Sequence, residues 1–124
     1  MKFKINGISW EILEVSQKEI KTMQNQRNAN DNEVLDNVNH RYYGITYCDE
    51  CKIYLDIDLP LERKKHTLIH ELTHCYIQEH ITHLEKTYEE EMVCDVVANS
   101  FNIIHNIVSK YFKGVFSKEV TNEG

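Results

Sequence analysis

Residues 67–80 read TLIHELTHCYIQEH. His70 and His74 lie four apart, and on an α-helix such residues share a face with their Cβ atoms about 5–6 Å apart. Two imidazoles at that spacing converge on a single metal ion. Glu71 stands one residue past the first histidine, rotated just off that axis. From there its carboxylate reaches a water on the ion without becoming a ligand, the geometric reason for this spacing in zinc hydrolases. The competing interpretation is a polar helix face, and the seven histidines of the chain raise the rate of chance pairs. The mid-helix position, the flanking apolar run and the acidic helix that follows favour the metal.

Working outward, Pro60 marks a helix start, because a proline in the first turn gives up no needed hydrogen bond. The helix is predicted from about 60 to 80. Thr87-Tyr88-Glu89-Glu90 fits a capping box opening a second long helix to about 112, with Val93, Val97, Phe101, Ile104, Val108 and Tyr111 on one stripe. Residues 113–124 read as a polar tail. Upstream, "KFKINGISWEILEV" reads as a hairpin within residues 1–16, with Asn6-Gly7 as a type I′ turn. "RYYGITYCDECKIYLDIDL" gives a second, with strands near 41–47 and 51–57. Between them a short helix is expected around 17–24, then an Asn-rich mobile loop over 24–39. The predicted fold is one α+β domain over 1–124: a small antiparallel sheet of two hairpins packed with two or three helices.

The 41% hydrophobic and 27% charged residues are a globular composition. A net charge of −6 argues against a nucleic-acid surface, which needs clustered Lys and Arg. Arg63-Lys64-Lys65 is read as a solvated helix face. The alternating N-terminus is neither a secretory signal nor a membrane anchor, so the expected location is the cytoplasm. There Cys48, Cys51, Cys75 and Cys94 are expected as reduced thiols. The Cys48-x-x-Cys51 pair reads as a hairpin turn, while Cys75 and Cys94 read as core residues.

A hydrolytic zinc centre needs a third protein ligand and one open position. His80 falls six residues after His74, but Ile77 stands where a sharp bend would be required. Glu91 and Asp95 lie four apart on the next helix and share a face. Local physics leaves these candidates open. A donor for the oxyanion is sought among Tyr43, His83 and Tyr88.

"TLIHELTHCYI" followed by "EEEMVCDVVANSF" resembles the ImmA/IrrE family of small zinc metallopeptidases from phages and mobile elements. The resemblance spans roughly residues 41–105 and includes the Tyr/Gly hairpin ending in "IYLD" and an acidic residue three before Ala-Asn-x-Phe. It implies a zincin-like helix followed by a ligand-bearing helix. It also orders the third ligand as Asp95, then Glu91, then His80. Asp95 stands where the family usually has Glu, and Thr73 where many members have Gly. The implied function is an intracellular Zn2+ peptidase, with Glu71 as general base, cleaving a protein substrate such as a helix-turn-helix repressor. The alternative is a catalytically silent module that keeps zinc as a staple between helices. A third reading has no metal and only a histidine-rich helix face.

Overall fold

Asn6 and Gly7 take φ values of 50° and 78°, the two left-handed positions of the expected type I′ turn. They join β1 (Lys2–Ile5) to β2 (Ile8–Val15) as an antiparallel pair. The second hairpin joins β3 (Gly44–Tyr47) to β4 (Lys52–Asp56) through a turn in which Cys51 has a φ of 55°. The structure, a computed structural model, describes residues 1–30, 41–81 and 90–113, apart from the side chains at 30, 90, 91, 94, 95 and 98. The class is α+β as predicted, with four strands and three helices among the described residues.

The sheet is mixed where an antiparallel one was expected. Its order is β1-β2-β4-β3, and the hairpins meet in a parallel β2–β4 pair with Ile12 beside Ile53 and Glu14 beside Leu55. Hairpin signals fix only the pairing inside each hairpin. The pairing between hairpins depends on how the chain returns, and a parallel return takes a crossover of a dozen or more residues. Helix α1 (Gln17–Asn30) forms its helical part.

That helix is longer than the sequence suggests, so residues 24–30 are helical and not part of a loop. Three anchors explain it. Ile20 is fully buried against Tyr47 and Tyr54, Met23 packs beside it, and Arg27 lies 3.6 Å over the Tyr47 ring while pairing with Asp49 and Glu50. Tertiary contacts of this kind override weak intrinsic propensity. Residues 31–39 of the expected mobile loop lie outside the described residues.

Helix α2 (Leu61–His80) begins after Pro60 as its cap, and α3 (Glu90–Tyr111) follows. Both pack on one face of the sheet, where Trp10, Ile12, Ile53 and Leu55 meet Leu68, Leu72, Cys75, Ile107 and Phe112. Helix α1 covers the other face, so β4 is buried on both sides. Glu14 of β2 joins the layers by accepting from Lys64 of α2 and Tyr111 of α3. The expected α3 stripe is only half in the core: Ile104 and Val108 are buried, whereas Val93, Val97 and Phe101 are 47%, 60% and 62% exposed. The neighbouring stripe through Val96, Ser100 and Ile107 turns inward instead. The capping box at 87–90 lies outside the described residues apart from the helical backbone at 90, and the tail beyond Lys113 lies wholly outside them. No helix among the described residues is long and apolar enough to cross a membrane.

Candidate metal centre

Leu68, Leu72 and Cys75 are fully buried and fix which side of α2 faces the core. The same helical phase turns His66, His70 and His74 outward. The His70 and His74 rings meet edge to face, and their Nε2 atoms are 3.3 Å apart. Two nitrogens bound tetrahedrally at zinc distances of about 2.0–2.1 Å are themselves about 3.3–3.4 Å apart. The imidazole pair therefore has the spacing and chemistry of two zinc ligands.

Helix α2 runs unbroken through His80, whose ring stacks on Tyr76 at 4.5 Å. At 3.6 residues per turn His80 is rotated about 120° from His74, away from the pair. Asp95 and Glu91 lie on the adjacent helix α3, and their side chains are outside the described residues. Among the described residues no third His, Cys, Asp or Glu completes a cluster with the pair.

Glu71 is 6% exposed although it carries a carboxylate. Thr46 Oγ1 of β3 donates to Glu71 Oε1 at 2.9 Å, and Oε2 lies 4.0 Å from His70 Nε2, a gap that one water can bridge. The close approach of β3 to α2 requires Gly44. A Cβ there would stand 2.8 Å from Thr67 Cγ2 and 3.3 Å from Glu71 Cγ. Thr46 and Gly44 were not legible as site residues, because they come from another element and carry no spacing signal toward Glu71.

A second buried carboxylate anchors the segment before β3. Asp56 is 1% exposed and accepts from Gln17 Nε2 at 2.9 Å, from Arg41 at 3.1 Å and from the Asp58 backbone N–H at 3.0 Å. Gln17 also clasps the Tyr42 backbone, donating to its carbonyl at 2.7 Å and accepting from its N–H at 2.8 Å. Burial pushes the Asp56 carboxyl up, but these three donors outweigh it and hold the group below the usual carboxylate range.

That segment walls a cleft of about 320 Å³ lined by Arg41, Tyr43, Gly44, Arg63, His66, Thr67, His70 and Glu71. Tyr43 is thus the described oxyanion candidate that shares a cleft with His70, while His83 and Tyr88 lie outside the described residues. On another side of α2, Ile69 and Thr73 line an apolar groove of about 210 Å³ with Val97, Phe101, Ile104 and His105. The basic run is not a uniformly solvated face. Lys64 is partly buried on Glu14 and Lys65 pairs with Glu62, leaving Arg63 exposed in the cleft.

Cys48, Cys51 and Cys75 are free thiols. Burial pushes the Cys75 thiol far up and that of Cys48 up as well, so both are thiols at neutral pH and suit packing. The Cys94 side chain is outside the described residues. No family model matches the chain, and no curated protein or solved structure matches it.

Proposed function

We propose that this chain is a zinc-dependent peptidase in which His70 and His74 hold the metal and Glu71 is the general base. One observation carries the reading: two imidazole nitrogens at zinc-ligand spacing stand beside a buried carboxylate pinned by Thr46. A purely structural metal site has no use for that carboxylate. Asp95 is the favoured third ligand, then Glu91, with His80 turned away along the helix. Zinc bound there supplies Lewis-acid polarisation of a peptide carbonyl and lowers the pKa of water toward about 7. Thr46 occupies Glu71 Oε1 and leaves Oε2 on the His70 side, ready to take a proton from the attacking water and pass it to the leaving amine. The Tyr43 hydroxyl, in the same cleft, is the proposed donor to the developing oxyanion. The substrate is a protein in the cytoplasm, and the resemblance to the ImmA/IrrE family narrows it to a repressor of a mobile element.

Elemental analysis and a peptide-cleavage assay on the protein and its Glu71→Gln variant test this. About one zinc per chain is expected in both, with cleavage reduced by roughly 10²–10⁴ in the variant. A metal-free protein, or equal cleavage by the variant, overturns the reading.

A further inference from the structure

Three consecutive cations open α2, at the end of a helix where positive charge is unfavourable. Two of them are compensated: Lys64 by Glu14 of β2, and Lys65 by Glu62. Arg63 has no carboxylate partner among the described residues. Its guanidinium instead lies 5.1 Å over the Tyr43 ring, which Arg41 flanks at 5.7 Å. Arg41 is already engaged by buried Asp56. The carboxylate within this cleft, Glu71, is buried and held by Thr46. Among the described residues, a chain of net charge −6 therefore keeps an uncompensated cation, steadied by an aromatic plate, in the cleft that His70 also lines.

We infer that Arg63 is a specificity-determining residue that binds a carboxylate of the peptide substrate. The inference rests on the peptidase reading for the identity of the ligand, and on the cleft alone for its charge. Arg63 precedes His70 by seven residues, so the two share a stripe of α2 about 10.5 Å apart along the axis. An extended peptide advances about 3.3 Å per residue. The helix thus acts as a ruler that sets the carboxylate about two to four residues from the scissile bond. A planar guanidinium suits this task, since it meets both carboxylate oxygens at once. The carboxylate comes either from an Asp or Glu side chain or from the C-terminus of the substrate.

The test uses zinc-treated full-length Glu71→Gln protein and fluorescent octapeptides on a neutral frame, acetylated and amidated, with Glu replacing Gln at one position at a time. A further peptide carries a free C-terminal carboxylate. Fluorescence anisotropy is expected to show roughly tenfold tighter binding for Glu at one position, or for the free terminus, depending on the source. Arg63→Gln should erase that preference, and Arg63→Lys should keep part of it. Equal binding of all peptides, including no binding of any, overturns the inference, as does a preference that survives Arg63→Gln. Cleavage of the same peptides by the protein with Glu71 intact is read separately. A preference without cleavage removes the peptidase reading and leaves the carboxylate site standing.

Discussion

The two hairpins are built from similar materials and do different work. The first follows local rules throughout: Asn6-Gly7 takes the left-handed turn, and alternate residues Trp10 and Ile12 enter the core. The second breaks them. It puts glycine at the start of a strand, threonine against a buried glutamate, and an aspartate at a strand end that is 1% exposed. Each departure faces either α2 or the segment that walls the cleft. Local inconsistency of this sort collects where a protein does chemistry, so under the proposed function the second hairpin serves the site and the first is its support.

That contrast can be broken by substitution. The largest effect is expected from Asp56→Ala, which strands the donors of Gln17, Arg41 and Asp58 and should cost about 2–3 kcal/mol in urea unfolding. The same group sets an acid limit. Its folded pKa is depressed below the ordinary 3.8, so its contribution is full above that value and is lost as pH falls through the folded one. A stability profile between about pH 5 and 2 should lose that acid slope in the variant.

Gly44→Ala should cost about 2 kcal/mol through the clash with Thr67, and it should also weaken zinc binding by shifting α2. Smaller again, Thr46→Val should remove about 1 kcal/mol of stability while lowering kcat more than KM, because Glu71 loses its anchor. Gly7→Ala, at a φ of 78°, should cost about 0.5–1 kcal/mol, the left-handed penalty less the entropy lost from the unfolded chain, and leave zinc affinity unchanged. If Gly7→Ala alters zinc affinity as much as Gly44→Ala does, the division of labour between the hairpins is wrong.

What the sequence disclosed follows from where each signal resides. The Pro60 helix start, the Asn6-Gly7 turn and the four-residue step from His70 to His74 are local, and the structure reproduces them. The last turns of α1 were hidden because Arg27 is held by Tyr47 and the Asp49–Glu50 turn, 20 to 23 residues away. The parallel β2–β4 join was hidden for the same reason. On α3, periodicity picks out the stripe through Val97 and Phe101 but does not tell how much of it meets the sheet, and both residues are exposed. Within the candidate site, the helix-borne residues were legible. Thr46 and the uncompensated state of Arg63 emerge only when another element is docked against α2.

The parallel join has a kinetic side. Everything described at the centre, from Tyr43 to His74, lies within one short continuous stretch, whereas Ile12 and Ile53 are 41 positions apart and must find each other across α1. Contacts of short sequence separation close faster, so the second hairpin and α2 should assemble before β2 arrives. Until then β4 presents Ile53, Tyr54 and Leu55 along an open edge that a second chain can occupy. Refolding yield should therefore fall with protein concentration, and the chain's most vulnerable moment comes when the described part of the candidate site is already in place.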